Sequence, residues 1–196
     1  MILKREFFER ATLTVARELV GKYLIRAQGD RRWAGRIIEV EAYVGPEDKA
    51  CHASKGRTPR TEVLFGPAGR AYVYLCYGMH ELLNVVTERD GFPAAVLLRA
   101  IELDGLLVDG PGRVTRRLDI GRSMNRLDLT LGAELWFEDR GDLMAGGKVK
   151  AYPRIGVAYA GSWAKKPWRF RLEQELSGRA RVRFSNANSG NKKGSL

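Results

Sequence analysis

Residues 71–86, AYVYLCYGMHELLNVV, hold two apolar runs rich in β-branched and aromatic side chains around a short break, Gly78-Met79-His80-Glu81. So few residues can join two strands only as antiparallel neighbours, because a parallel crossover needs a dozen or more. The reading is a β-hairpin of 71–77 and 82–87. Runs 36–43 and 94–101 on either side are also β-rich and bounded by Gly, Pro or charge. Upstream, Leu13, Val15, Ala16, Leu19, Val20, Tyr23 and Leu24 follow a helical stripe, which predicts a helix over 12–24 capped by Thr12 or Thr14. Downstream, 112–120 reads as a short helix after a Pro-Gly start, and 134–138 and 150–157 as strands. The sum is one α/β domain of the α+β type over 1–184: a mixed, mainly antiparallel sheet with surrounding helices and a protruding hairpin. The polar stretch SNANSGNKKGSL, 185–196, is expected to be a disordered tail.

The chain has 196 residues, 34 Lys and Arg against 23 Asp and Glu, and a net charge of +11. With 44% hydrophobic residues it can bury a core, which excludes a disordered basic tail. No run of about 18 uncharged apolar residues exists to span a membrane, and MILKREFFER lacks the apolar region of a secretory signal. Two cysteines, Cys51 and Cys76, fit a reducing compartment rather than a disulfide scaffold. The expected location is the cytoplasm, at the nucleoid in a bacterium, or the nucleus in a eukaryote. The positive excess calls for an acidic partner, with nucleic acid first and an anionic membrane surface second. It is concentrated in 163–196 and in a second stretch that carries Arg113, Arg116, Arg117, Arg122 and Arg126.

In IIEVEAYVGPED, alternation places Glu39, Glu41 and Tyr43 on one face and Ile38, Val40 and Ala42 on the other. An arbitrary strand would turn such an acidic face to solvent. Gly45-Pro46 then ends the strand and Glu47, Asp48 and His52 follow on a short helix, which gathers acid, aromatic and imidazole groups at one strand end. Tyr72, Tyr74 and Cys76 share a face of the next run, and such tyrosines can be plain sheet formers or a wall on which bases stack. Tyr77, before Gly78, can protrude as a wedge between base steps. Asn84 and Arg99 interrupt apolar strands and need partners. For Arg99 these are a salt bridge to Glu39 or Glu41, or a water-orienting role. Asn84 reads as a structural hydrogen bond or as a reader of base edges.

GRIIEVEAYVGPEDKACHA, TPRTEVLFGPAGRAYVYLCYGMHELLNVV and AAVLLRAIE, followed by GPGRVTRRLDI and PRIGVAYAGSWAKKPWRFRL, resemble the alkyladenine DNA glycosylase (3-methyladenine DNA glycosylase) family over about residues 13–172. The resemblance implies a monomeric enzyme that flips a damaged purine out of double-stranded DNA and hydrolyses its N-glycosidic bond, with no cofactor and no metal. It implies Glu41 as the base that deprotonates water and Arg99 as its partner in holding that water. Tyr43, His52 and Tyr74 become pocket residues that contact the flipped base. Tyr72 becomes a support for Glu41, Asn84 the pocket floor, and Tyr77 the side chain that fills the emptied stack. With DNA as the partner, the basic stretch makes Arg113, Arg116 and Arg117 expected contacts to the DNA backbone. Two positions depart from the pattern, His80 after Tyr-Gly-Met and Cys51 before His52.

The chemistry of the residues is compatible with these roles. Cleavage passes through an oxocarbenium-like transition state that a carboxylate stabilises while activating water. Aromatic walls favour a cationic alkylated purine, and flipping costs least for damaged pairs. No lysine falls on a matched site position to form a Schiff base, so hydrolysis alone is expected. Two rivals stand beside this reading. One is a noncatalytic nucleic-acid module on the same fold; the other is a zinc enzyme using Cys51, His52, Cys76 and His80, whose spacing lacks the C-x2-C knuckle.

Overall fold

The computed structural model describes residues 1–141 and 147–173. The tail expected at 185–196 and the domain boundary at 184 lie outside the described residues.

Two long strands form the spine, β2 (Arg31–Val44) and β5 (Ala94–Leu103), paired antiparallel from Arg36–Glu102 to Val44–Ala94. Each divides its other edge between two partners. β2 pairs with β1 (Tyr23–Gln28) through 31–36 and with β9 (Arg169–Glu173) through Glu39–Glu41. β5 pairs with β4 (His80–Val86) near its start and with β6 (Leu106–Asp109) near its end. β3 (Ala71–Cys76) flanks β4, β7 (Leu135–Glu138) flanks β1, and β8 (Lys148–Tyr152) flanks β9. The path β3-β4-β5-β2-β1-β7 runs through the sheet. Among the described residues every strand pair is antiparallel, so the sheet is not mixed. A register shift between Ile37 and Val40 bulges β2 where its partner changes from β1 to β9, and such a bulge sharpens the local twist and lets the sheet curl.

One face of the sheet carries the main core. Val40 and Ala42 of β2, Ala71 and Val73 of β3, Leu83 and Val85 of β4, and Val96 and Leu98 of β5 alternate onto it. α2 (Thr12–Leu19) covers it with Val15, Ala16 and Leu19, and α3 (Pro111–Arg117) adds Val114. α1 (Arg5–Phe8) contributes Phe8. Truncating one such residue, as in Leu83→Ala, costs about 2–5 kcal/mol.

The structure shortens several expected elements. The helix expected over 12–24 stops at Leu19: Val20 is already extended (ψ 127°) and Gly21 takes φ 91°, after which Tyr23 and Leu24 enter β1 between β2 and β7. Neither Thr12 nor Thr14 caps the helix: Ala11 occupies the cap position, and Glu88 accepts from both the backbone N–H and the hydroxyl of Thr12 (2.7 and 2.8 Å). The strand expected over 150–157 is β8, and it ends before Pro153, which has no N–H to continue the ladder. β1, β6 and β9 carry too few alternating apolar residues to stand out in the sequence.

Candidate active site

The same alternation that builds the core sends Tyr43, Tyr72, Tyr74, Asn84 and Ala95 to the opposite face of the sheet. Cys51 and His52, at a 3-10 turn (His52–Lys55), and Leu64, from a second (Glu62–Phe65), close over them. These eight residues line a pocket of ≈ 320 Å³, counting the part open to solvent. The His52 ring stands edge-on to Tyr74 at 4.7 Å between centroids, and Tyr72 and Tyr74 lie 5.1 Å apart at 31°. Asn84, buried, donates from Nδ2 to the Tyr72 carbonyl oxygen at 3.1 Å.

Tyr72 differs from its expected role. Its hydroxyl meets His52 Nδ1 at 2.9 Å, and the hydroxyl bonded to Glu41 belongs to Tyr43. Burial, then the charges of Arg60 and Lys55, lower the His52 pKa to about 4, so the imidazole is neutral at neutral pH. Burial pushes the Cys51 thiol up to about 11, which keeps it protonated.

Glu39 and Glu41 are both buried, so their face of β2 is not turned to solvent. Glu39 meets Arg99 Nε at 2.9 Å, Arg169 at 3.3 Å, and Arg171. Burial raises its pKa, but Arg171, Arg169 and Arg99 together hold it below the usual value. Glu41 is fully buried and has fewer charges to help it. Its Oε2 accepts from the Tyr43 hydroxyl at 2.8 Å; its Oε1 accepts from the Ile155 backbone N–H at 2.8 Å and lies 3.4 Å from Arg99 Nη1. Burial raises the Glu41 pKa further than Arg99, Ile155 and Tyr43 lower it, and Glu39 adds to the rise. Two carboxylates two residues apart are thereby driven in opposite directions. Such a split is a mark of assigned acid–base roles. Arg99 meets both carboxylates.

The hairpin between β3 and β4 turns on Tyr77, Gly78 and Met79 rather than on 78–81. Tyr77 (φ 50°) and Gly78 (φ 68°) are left-handed, and this turn throws Tyr77 (86% exposed) and Met79 out of the body. His80 does not join that tip: a Cβ on Gly112 would lie 2.9 Å from its side chain, so His80 packs against the first turn of α3. Arg113, Arg116 and Arg117 are exposed on α3. Among the described residues no group of three or more His, Cys, Asp or Glu is arranged to hold a metal, and none of the helices is long and apolar enough to cross a membrane.

Two site residues escaped the sequence reading. Arg154 is fully buried and pairs bidentately with Asp48 (2.5 and 2.8 Å), while donating to the carbonyl oxygens of Ala42 and Trp163. Its guanidinium carbon lies 4.8 Å from the Tyr43 ring centroid and 5.1 Å from that of Trp168. It thus ties the end of β2, the turn leading to His52 and the amide of Ile155 into one unit. Arg60 lies 4.9 Å from the centroid of Tyr74. The Asp48–Arg154 separation of 106 residues leaves no local signal in the sequence.

Residues 6–176 match the family model described as Methylpurine-DNA glycosylase (MPG). A protein of Methanocella arvoryzae is 48% identical over 185 residues, covering 86% of this chain and 91% of its own. One of Myxococcus xanthus is 50% identical over 172 residues (85% and 88%), and one of Legionella pneumophila 46% over 174 (87% and 94%). All three are provisionally named 3-methyladenine DNA glycosylases.

Proposed function

Because the chain belongs to the methylpurine-DNA glycosylase family, we propose that it releases alkylated or deaminated purines from duplex DNA by hydrolysis, leaving an abasic site for base-excision repair. The observation that carries this reading is Glu41, a carboxylate withdrawn from solvent, raised in pKa, and joined through the Tyr43 hydroxyl to an aromatic pocket.

In this mechanism Tyr77 enters the duplex and the damaged nucleotide swings into the pocket, where Tyr43, His52 and Tyr74 bracket the base. Glu41, ionised, takes a proton from water as the water oxygen bonds to C1′. The C1′–N bond breaks and its electron pair leaves with the purine. An alkylated cationic purine departs neutral; a neutral purine departs with negative charge that must be stabilised or protonated. Asn84 faces the base from the pocket floor, and a polar side chain there discriminates against bases that leave it unpaired. Arg113, Arg116 and Arg117 contact phosphates without reading sequence.

A noncatalytic binder would use the basic surface but gains nothing from a buried carboxylate beside an anionic ligand. The test incubates the protein, without added metal, on duplexes carrying 3- or 7-methylpurine, hypoxanthine or ethenoadenine. Release of free base with intact abasic strands is expected. Tight binding with no release from any of them would favour the binder.

A further inference from the structure

Arg60 belongs to the turn Thr58-Pro59-Arg60-Thr61, which closes on itself. Thr58 N–H donates to Thr61 Oγ1 (2.8 Å), Thr61 N–H to the Thr58 carbonyl oxygen (3.0 Å), and the buried Thr61 hydroxyl to the Gly56 carbonyl oxygen (2.9 Å). Pro59 presets its own φ. The turn therefore fixes where Arg60 leaves the backbone, and its guanidinium rests 4.9 Å from the centroid of Tyr74, a wall of the pocket. No carboxylate among the described residues forms an ion pair with it. It also acts on the Tyr72 hydroxyl by hydrogen bonding and by charge, and on His52 by charge. Arg60 is exposed and aimed at an aromatic wall without a carboxylate counter-ion. It places a positive charge against the ring of Tyr74, a wall of the pocket.

We propose that Arg60 is a specificity-determining residue that disfavours cationic alkylpurines in the pocket and assists the departure of neutral purines. The inference rests on the glycosylase reading above. A cationic base must share the Tyr74 face with a guanidinium, and two cations compete for one ring. When the C1′–N bond breaks, the electron pair moves onto the purine. A neutral purine then gains negative charge, which the adjacent cation stabilises at the transition state. A cationic purine loses its charge, so its repulsion is largest before cleavage and shows in binding. His52, neutral at neutral pH, supplies no competing charge.

The test measures single-turnover rate and half-saturation on two duplexes that differ only in the lesion, 7-methylguanine (cationic) or hypoxanthine (neutral), with ethenoadenine as a second neutral base. Wild type, Arg60→Gln, Arg60→Lys and Glu41→Gln are compared. Arg60 is exposed, so its replacement leaves the core intact. In Arg60→Gln the neutral-to-cationic ratio of rate over half-saturation should fall by about three- to tenfold. The neutral loss should appear in the rate and the cationic gain in half-saturation. Arg60→Lys, which keeps the charge, should stay nearer wild type. An unchanged ratio overturns the proposal, as does an equal loss on both lesions, which would make Arg60 a phosphate contact. If wild type releases no base, or Glu41→Gln remains active, the failure lies in the proposed function instead.

Discussion

Replacing Arg154 by methionine removes a fully buried charge while nearly keeping the volume, and leaves Asp48 buried without its partner. Four acceptor atoms lose a donor: both Asp48 oxygens and the carbonyls of Ala42 and Trp163. Asp48 keeps the amides of Val44 and Ala50 (3.1 Å each), which soften the loss without cancelling the charge. Breaking one side of such a pair costs about 3–5 kcal/mol, a large part of the ~5–15 kcal/mol that holds a domain folded. At about 2–4 °C per kcal/mol for a chain of this size, Tm should fall by roughly 6–20 °C. The assay is urea unfolding of Arg154→Met, Asp48→Asn and the double variant, with calorimetry for Tm. The double variant carries no unpaired buried charge, so it should lose less than the two single losses added together. A loss under ~1 kcal/mol in Arg154→Met, or strict additivity, would refute the claim that the pair fastens the site.

The other predictions concern the chemistry and its pH dependence. Glu41→Gln should slow base release by about 10²–10⁴-fold with DNA binding retained; near-normal release removes Glu41 from the mechanism. Because burial raises the Glu41 pKa, its ionised form destabilises the fold above the ordinary value of 4.5. Glu41→Gln should therefore be at least as stable as wild type at neutral pH, an advantage that fades as pH falls toward that value and is gone below it, and the acid limb of the wild-type rate should lie above it. His52, depressed from 6.5 to about 4, binds its proton more readily in the unfolded chain, so stability should decline as pH falls between those values. Unfolding of His52→Gln across that range should lack this component. Tyr77→Ala should leave stability within about 0.5 kcal/mol and weaken base flipping, read by stopped-flow fluorescence of a base analogue; unaltered flipping sinks the wedge. Each of Arg113→Gln, Arg116→Gln and Arg117→Gln that removes a phosphate contact should reduce the salt slope of DNA binding by about 1; an unchanged slope in all three would take α3 off the DNA.

What the sequence settled, it settled through short-range rules. Two-residue alternation identified the β3–β4 hairpin and put Tyr72 and Tyr74 on one face, because a strand sends alternate side chains to opposite sides whatever its partners. Gly78 after Tyr77 marked a tight turn, and Gly45-Pro46 marked the end of β2. Motifs in one order over most of the chain carried the family resemblance. Long-range contacts decided the rest. Whether Glu39 and Glu41 face solvent depends on β9 and Arg171 arriving from 132 residues away. Which carboxylate stays free to act depends on how three arginines divide between the two. The partner of Asp48 lies 106 residues along the chain, and the Ile155 amide that holds Glu41 lies 114 away. The hydroxyl that reaches Glu41 is that of Tyr43 while that of Tyr72 meets His52, because rotamer and packing, not strand face alone, select which hydroxyl reaches which acceptor. Local pattern determines which side chains share a surface; burial and charge, which fix their pKa values and partners, are properties of the assembled fold.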